Sequence, residues 1–352
     1  MSLLNKLKKN SKLSHTEILS ESLLFSTKDI TPTDVPMLNV ALSGDLDGGL
    51  TAGMTVFAGP SKHFKTSFAL KIASAYLKQY DDAVILFYDS EFGSPQSYFE
   101  TYGIDPSRVL HTPITNVEEL KFDLVSQLET IERSDRVIIV IDSIGNLASK
   151  KELEDAINEK SVADMSRAKA LKGLFRMTTP YLTMKNIPLL AINHTYKEIG
   201  LFPKDIVGGG TGIYYSSDNI WILGRRQNKT GTEVTGYDFV INVEKSRYVR
   251  EKSKIPISVS WEGGIEQYSG LLEIAIAGGY VIKPSNGWYQ KVDETTGEVV
   301  GTKVREKDTR NAGFWEDLLN TDTFKEFIRG SFQIGAKKTK EMDLHSVLEE
   351  VE

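Results

Sequence analysis

Five short apolar runs rich in Val and Ile recur along the chain, with longer segments of helical apolar spacing between them. The runs cover 55–58, 84–88, 137–141, 189–192 and 220–223, and the helical segments lie near 66–80, 116–133 and 161–185. Strands that are apolar on both faces and alternate with helices are typical of a parallel sheet covered on both sides. We therefore predict an α/β core with a mostly parallel central sheet. Two later runs, 239–243 and 257–261, alternate more strongly and predict antiparallel strands at the sheet's edge.

The two ends of the chain differ from this core. Ser14 and Glu17 have the spacing of a capping box, and Ile18, Leu19, Leu23 and Leu24 follow at helical spacing. An extended segment, 25–35, comes next. We predict an N-terminal helix-plus-strand arm over 1–36, which packs on its own domain or adds a strand to a neighbour. The core is expected at 37–269, and a small C-terminal subdomain with an acidic tail at 270–352.

Composition excludes several classes of protein. The 352 residues include no cysteine, so disulfides and thiolate metal sites are excluded and a reducing, cytoplasmic setting fits. No apolar stretch approaches the roughly 20 residues of a membrane span. The basic N-terminus has no apolar h-region, so we expect no secretory signal. The net charge of −6 argues against coating nucleic acid by bulk charge but leaves room for local basic patches.

A candidate phosphate loop follows the first apolar run. It comprises Gly59, Pro60, Ser61, Lys62, His63, Phe64, Lys65 and Thr66, with Ser67 next in the predicted helix. The spacing matches G-x-x-x-x-G-K-[ST], in which backbone N–H groups cradle phosphates, Lys65 neutralises the β- and γ-phosphates and Thr66 ligates Mg²⁺. Phe64 stands where glycine is expected. We expect an ordinary backbone conformation there, with the ring turned into apolar surroundings. The alternative is a chance strand–turn–helix.

Two further apolar runs end in acids. Asp142 closes the run at 137–141 and is predicted to hold Mg²⁺ through water, although an Asp at a strand end also caps turns. Glu91 follows the run at 84–88 and is predicted to accept a proton from a water that attacks the γ-phosphate. Carboxyl ends of parallel strands meet at one edge of a sheet. Together with the phosphate loop, these acids predict ATP hydrolysis.

Several segments together resemble the RecA family, and within it the phage UvsX recombinases, over about residues 20–330. They are GPSKHFKT, LFYDSEFGSP, VIIVIDSIGNLASKKE, PLLAINHTY, VGGGTG and VEKSR. The resemblance implies an ATP-dependent homologous recombinase that polymerises on single-stranded DNA as a helical filament. It implies pairing and strand exchange with homologous double-stranded DNA, with ATP bound between neighbouring subunits. A loading mediator, a single-strand-binding protein and the cytoplasm of a bacterial host are implied in the same way.

The resemblance also assigns roles by motif position. Glu91 resembles the catalytic glutamate, Tyr98 the adenine-stacking tyrosine and His194 the glutamine that senses the γ-phosphate. Lys245 and Arg247 resemble paired cations that reach the ATP of the adjacent subunit, with a register uncertain by one residue. The alternatives are a core aromatic for Tyr98, a loop-anchoring imidazole for His194 and exposed strand charge for the cations.

The resemblance places DNA contacts in two loops, near 149–165 and 195–212. The first leads into a helix with Arg167, Lys169, Lys172 and Arg176, of which the last three share a face and are predicted to track phosphates. A solvated helix face is the alternative. In the second loop, backbone N–H groups of Gly208, Gly209 and Gly210 are expected to approach phosphates. Within the arm, Phe25 and Ile30 are the expected anchors on a neighbouring protomer.

Two other functions fit the same core. A hexameric replicative helicase also binds ATP between subunits but translocates along DNA, and the short N-terminal arm favours the filament over it. A recombination mediator with weak ATPase activity is the second alternative. Lys65, Thr66, Glu91 and Asp142 are all present, which disfavours that reading.

Overall fold

The structure, a computed structural model, describes residues 2–13, 15–22, 29–158, 165–198, 204–230, 233–261, 264–339 and 342. Residues 226–230 and 233–235 are described by their backbone alone. The described chain is built around one large sheet with helices on both faces, and a smaller sheet lies in the C-terminal part. The sequence expectation of an α/β core with a mostly parallel sheet and a small C-terminal subdomain is confirmed.

The central sheet has nine strands in the order β11-β10-β9-β8-β1-β5-β4-β2-β3. The strands of the chain are β1 Gly53–Ala58, β2 Val84–Asp89, β3 Val109–Pro113, β4 Val137–Asp142, β5 Pro188–Asn193, β6 Thr195–Lys197, β7 Asp205–Val207, β8 Asn219–Thr230, β9 Glu233–Ser246, β10 Lys254–Ser260, β11 Gly264–Ile265, β12 Val281–Ser285, β13 Trp288–Val292 and β14 Val299–Arg305. From β8 to β3 neighbouring strands are parallel, whereas β8 to β11 pair antiparallel. Strand β3, at the parallel edge, was not predicted.

Eleven helices are labelled in the described chain, and all but α1 and α6 bury at least one residue. They are α1 Leu3–Asn10, α2 Pro36–Ser43, α3 Lys65–Gln79, α4 Gln96–Thr101, α5 Val117–Thr130, α6 Lys150–Ile157, α7 Ser166–Met184, α8 Thr211–Ser216, α9 Leu271–Ala277, α10 Ala312–Leu319 and α11 Asp322–Phe332. In α5 the buried residues are Val117, Leu120, Leu124 and Leu128, one stripe at helical spacing. The predicted helices near 66–80, 116–133 and 161–185 correspond to α3, α5 and α7.

The predicted N-terminal helix lies elsewhere. Helix α1 begins after Ser2, whose hydroxyl accepts from the backbone N–H of Asn5. Ile18 is extended, and 19–21 form only a 3₁₀ turn, so the helix expected from the Ser14–Glu17 pattern is wrong over 15–22. Short helices are stabilised mainly by burying an apolar stripe, and Leu19 is 77% exposed. Ser14, Leu23, Leu24 and Phe25 lie outside the described residues.

The end of the arm lies on its own core. Asp29 accepts from Arg136 at 2.5 Å and from Asn186 at 2.8 Å. Thr31 pairs with Leu50 in an isolated antiparallel bridge. The described part of the predicted linker is therefore held against the domain that follows it, while Ile30 keeps 47% of its surface exposed.

The C-terminal part packs against the large sheet. Strands β12, β13 and β14 form a separate antiparallel sheet, and α9, α10 and α11 belong to the same part of the chain. Arg329 and Lys325 on α11 pair with Asp45 and Asp47 at 2.7 and 2.9 Å. Buried residues of this part, such as Phe324, belong to the same apolar cluster as residues of the large sheet, such as Phe239. Among the described helices, none has the length and apolar character to cross a bilayer.

Candidate nucleotide site and basic helix

The phosphate loop runs from the end of β1 to the start of α3, as the sequence predicts. Lys65 is the first residue of α3, and its buried ammonium donates to the carbonyls of Gly59 at 3.1 Å and Pro60 at 2.8 Å. Burial lowers the pKa of Lys65, although the charges of Glu91 and Asp142 oppose the shift. The loop is closed around a cation at a helix N-terminus, where unpaired N–H groups favour anions.

Phe64 departs from the sequence expectation in its backbone. Its φ of 53° and ψ of 25° are left-handed, so the expected ordinary conformation is wrong. The turn into α3 needs this conformation at the residue before Lys65, which is where many phosphate loops have glycine. A side chain there costs about 1–2 kcal/mol. The ring does lie in apolar surroundings, with its centroid 5.8 Å from those of Tyr237 and Phe239 and 6.1 Å from that of Trp261.

Thr66 and Asp142 meet beside the loop. The Thr66 hydroxyl donates to Asp142 Oδ2 at 2.7 Å, and burial raises the pKa of Asp142 to about 6. Asp142 Oδ1 is buried and accepts no hydrogen bond from the part of the chain described. A hydroxyl and a carboxylate with a free oxygen are the donors that Mg²⁺ prefers. This pair therefore fits the metal that the phosphate loop implies.

Glu91 lies just beyond β2 and is held by three side chains. Its Oε1 accepts from Ser143 Oγ at 2.7 Å, from Asn146 Nδ2 at 3.2 Å and from His194 Nε2 at 3.2 Å. The hydrogen bond from His194 is the largest cause that lowers the pKa of Glu91, and the one from Ser143 adds to it. The carboxylate is therefore oriented and kept charged. Direct contact between Glu91 and His194 was not predicted.

His194 is linked in turn to the glycine segment. The backbone N–H of His194 donates to Asn193 Oδ1 at 2.9 Å, and Asn193 Nδ2 donates to the carbonyl of Gly208 at 2.7 Å. The N–H of Gly208 donates back to the carbonyl of His194 at 3.0 Å. A network of hydrogen bonds thus joins Glu91 to the start of the segment predicted to approach DNA.

Tyr98 lies on α4 and contacts the helix that follows the phosphate loop. Its hydroxyl and that of Ser67 share a hydrogen bond of 2.7 Å, and its ring packs edge-on against Tyr102 at 5.4 Å. The side chain is half-buried. This contact places Tyr98 near α3, and stacking on adenine stays a prediction.

Lys245 and Arg247 lie side by side, and both contact their own chain. Lys245 Nζ donates to the carbonyls of Tyr214 at 2.6 Å and Ser217 at 2.9 Å, at the end of α8, and burial lowers the pKa of Lys245. Arg247 follows the last residue of β9 and forms an ion pair with Asp218. Their action on a neighbouring subunit stays a prediction.

The basic row on α7 divides into two kinds of residue. Lys169, Lys172 and Arg176 are exposed, as expected of a face that meets phosphates. Arg167 instead donates to the carbonyls of Leu147, Ile144 and Gly145, at 2.6, 2.9 and 3.1 Å. Its guanidinium therefore anchors the loop after β4, and we leave Arg167 out of the proposed DNA face.

The second loop predicted to contact DNA contains more regular structure than the sequence predicts. Strands β6 and β7 pair antiparallel within 195–212, so the expected long loop is in part a pair of strands. Residues 199–203 lie outside the described residues. Gly209 and Gly210 have φ of 93° and 74°, which few other residues adopt. In the first predicted loop, near 149–165, the side chain of Ser149 caps the start of α6. Residues 159–164 lie outside the described residues.

Several site residues were not singled out from the sequence. Ser143 and Asn146 bind Glu91, and they follow directly on the strand that ends at Asp142. Polar residues at a strand end beside a phosphate loop were a usable signal. Asn193 precedes His194 in the same way. Arg225 donates to the carbonyl of Lys62 in the phosphate loop. It lies within β8 and not at a strand end, so the sequence does not single it out.

The strand–loop–helix around Lys65, with acids at two neighbouring strand ends, defines a P-loop nucleotide-binding fold. A family model described as the RecA N-terminal domain matches residues 25–266. A second, the C-terminal domain of the bacteriophage T4 recombination and repair protein, matches 268–328. The chain therefore belongs to the RecA family, and it is a recombinase of that family.

Curated relatives agree with this assignment. The recombination and repair protein of Enterobacteria phage T4 is 51% identical over 331 residues, which cover 93% of this chain and 85% of that protein. Protein RecA of Thermus aquaticus is 26% identical over 277 residues, 77% of this chain and 78% of that protein. Protein RecA of Chloroherpeton thalassium is 27% identical over 257 residues, 71% and 69% of the two chains. The resemblance drawn from the sequence motifs is confirmed.

Proposed function

We propose that this recombinase is an ATPase stimulated by single-stranded DNA, which polymerises on that strand as a helical filament and exchanges it with homologous double-stranded DNA. One observation carries the proposal. Lys65, the Thr66–Asp142 pair and the Glu91–His194 pair converge at one edge of the sheet, beside the glycine segment. That edge joins the chemistry of phosphoryl transfer to a DNA-facing element.

Each group has a defined task in ATP hydrolysis. The loop N–H groups and Lys65 bind the phosphates, and Lys65 leaves its carbonyl partners to do so. Thr66 and Asp142 would hold Mg²⁺, which supplies charge neutralisation at the phosphates when bound. Glu91, charged and oriented by Ser143 and Asn146, accepts the proton of the attacking water. Tyr98 stacks on the adenine, and Ser67 fixes its hydroxyl end.

His194 transmits the state of the nucleotide to DNA. Its imidazole donates to Glu91 and can instead donate to a γ-phosphate, as a glutamine amide would. A movement of His194 that includes its backbone shifts Asn193 and with it Gly208, because the backbone N–H of His194 donates to Asn193 at 2.9 Å and Asn193 donates to the carbonyl of Gly208 at 2.7 Å. Gly209 and Gly210 then present their N–H groups to the strand, and Gly208 does so once its N–H leaves the carbonyl of His194. Lys169, Lys172 and Arg176 extend about 10 Å along α7 as the phosphate-tracking row.

A second copy completes the site. Lys245 and Arg247 lie at the surface, and their present partners are carbonyls and Asp218 of the same chain. In the filament they turn to the phosphates of the neighbour, as arginine fingers do. The arm of residues 1–36 joins the protomers through Phe25 and Ile30. Residues 37–269 form the ATPase core and 270–352 the C-terminal subdomain.

The filament acts in recombination, repair and recombination-dependent replication in the cytoplasm of a bacterial host. Its partners there are a loading mediator and a single-strand-binding protein. Support for this setting comes from the similarity to a phage protein named for recombination and repair.

A strand-exchange assay tests the proposal. A labelled single strand is incubated with the protein, ATP and Mg²⁺, and then with homologous or heterologous duplex. We expect exchange with the homologous duplex alone, and ATP turnover that rises when the single strand is added. Electron microscopy of the same mixture should show helical filaments. Closed rings with unwinding and no exchange would support the helicase, and DNA binding without turnover would support the mediator.

A further inference from the structure

The phosphate loop contains two strained residues next to its catalytic lysine. Phe64 has a φ of 53° and Lys62 a φ of 62°, both left-handed and neither a glycine. Non-glycine residues reach this region at a cost and stay there when surrounding structure holds them. The loop must therefore be held from outside in the shape that presents Lys65 and Thr66.

Residues of the antiparallel strands β8 and β9 supply that hold, together with Trp261 just past β10. Arg225 on β8 donates from Nη1 to the carbonyl of Lys62 at 2.6 Å. The guanidinium lies over the ring of Tyr237 on β9, 4.4 Å from its centroid, within cation–π range. Tyr237 in turn contacts the ring of Phe64 at 5.8 Å. Lys62 is thus held by Arg225 and Phe64 by Tyr237, and Arg225 and Tyr237 are stacked on each other.

The ring of Phe64 is fixed by more than one neighbour. Phe239, fully buried on β9, lies 5.8 Å from it, and Trp261, just past β10, lies 6.1 Å from it. Tilted aromatic pairs at these distances are favourable beyond the area they bury. The side chain that makes the left-handed turn costly also supplies the contacts that hold the turn.

We infer that Arg225 and Tyr237 are positioning residues for nucleotide binding, which hold the phosphate loop through Lys62 and Phe64. This inference rests on the proposed function, because the ligand is the triphosphate of a nucleotide. Where glycine precedes the lysine, the turn needs no external hold. Phe64 lacks the backbone freedom of glycine, and its turn is held instead by contacts with Tyr237, Phe239 and Trp261.

A double-mutant cycle in nucleotide affinity tests the inference. Affinity for a fluorescent ATP analogue is measured with Mg²⁺ and without DNA in the full chain. Arg225→Ala should weaken binding about tenfold, the effect expected from losing one charge-assisted hydrogen bond. In a Lys62→Gly background the same change should cost about twofold or less, since glycine adopts the left-handed conformation at residue 62 unaided. Comparing the two losses separates the two possible roles of Arg225. If Arg225 holds the loop, its loss matters less in the glycine background, whereas a direct contact with the nucleotide would be lost equally in both.

Matched variants complete the experiment. Arg133→Ala removes a similar 2.6 Å bond, from Arg133 Nη1 to the carbonyl of Met184, and should leave nucleotide affinity unchanged. Tyr237→Phe keeps the stacked ring and should bind as the wild type does, whereas Tyr237→Leu should bind several-fold more weakly. With DNA and saturating ATP, kcat of Arg225→Ala should stay within about twofold of wild type, so that the loss appears in KM.

The outcomes are distinct. An equal loss on Arg225→Ala in both backgrounds would overturn the inference, because Arg225 would then act without the strained turn. Unchanged affinity on Arg225→Ala in the wild-type chain would overturn it too. A wild-type chain that binds no nucleotide would instead reject the proposed function. Thermal melting without nucleotide identifies any variant that has lost its fold. If Arg225→Ala is such a variant, the comparison of Tyr237→Leu with Tyr237→Phe remains as an independent test, and equal binding by the two would overturn the inference.

Discussion

Gly145 gives a way to separate the Glu91–His194 contact from the chemistry of either residue. It follows β4 and precedes Asn146, and a Cβ placed on it would lie 3.1 Å from His194 Cγ and 3.2 Å from the backbone nitrogen of His194, with Cδ2 closer still. The carbonyl of Gly145 is held by Arg167 at 3.1 Å. The loop is therefore anchored, and in Gly145→Ala the imidazole ring must move.

The size of the effect follows from the distances. Ordinary contact between carbon atoms needs about 3.5–4.0 Å, so the ring must shift by about 1 Å. Nε2 is bonded to Cδ2, and its 3.2 Å contact with Glu91 Oε1 would stretch beyond hydrogen-bond range. Both side chains are about a third exposed, at 32% and 35%, which reduces the loss through solvent screening. We expect about 1 kcal/mol, or roughly fivefold in turnover, with nucleotide affinity unchanged.

The same variant should alter the dependence on pH. The hydrogen bond from His194 is the main cause of the low pKa of Glu91, so its loss raises that pKa. A base must be deprotonated to act, and the acid limb of the rate profile should therefore move to higher pH. DNA-stimulated phosphate release across the acid range measures both effects. Gly173→Ala, on an open part of α7 with no atom within 4 Å of the added methyl, is the matched control. A wild-type rate and an unshifted acid limb in Gly145→Ala would refute the reasoning.

Three further predictions concern the proposed ATP site. Glu91→Gln should bind nucleotide while turnover falls by about 100-fold or more, since an amide accepts no proton; near wild-type phosphate release would remove Glu91 from the role of base. Asp142→Asn should raise the Mg²⁺ concentration for half-maximal turnover, and in the wild type that requirement should rise as pH falls towards 6, because burial raises the pKa of Asp142 to about 6 and its carboxylate gains a proton there. An unchanged Mg²⁺ titration would show that Asp142 holds no metal. Lys245→Ala and Arg247→Ala should lower DNA-stimulated turnover more than nucleotide binding by the DNA-free protein, and equal losses in the two assays would exclude action across the interface.

The sequence predicts the core well because its signals are local. A run such as 137–141 is apolar on both faces, and only a strand covered on both sides buries it fully. The phosphate loop is recognised from eight consecutive residues. Asp142 and Glu91 are predicted to meet it because parallel strands end at one sheet edge. Each inference needs no knowledge of which distant residues meet.

The errors arise where distant residues decide the outcome. A left-handed Phe64 contradicts the preference of its residue type, and the contacts that hold it come from β9 and from Trp261 just past β10, far along the chain. Arg167 has the chemistry to bind a phosphate or a carbonyl, and only the fold shows that carbonyls surround it. Glu91 and His194 are 103 residues apart, and their contact depends on the order of strands in the sheet. The helix expected at Ser14 rested on spacing alone, without knowledge of what its apolar residues would contact.

The shared core of the C-terminal part bears on how the chain can be divided. The two family models meet between residues 266 and 268, as if two modules were joined there. The packing has no such boundary, because Phe324 and Trp315 belong to one apolar cluster with Phe57 and Phe239 of the central sheet. A cut at that junction would leave apolar surface on both fragments. The two stretches match separate family models and share one apolar core.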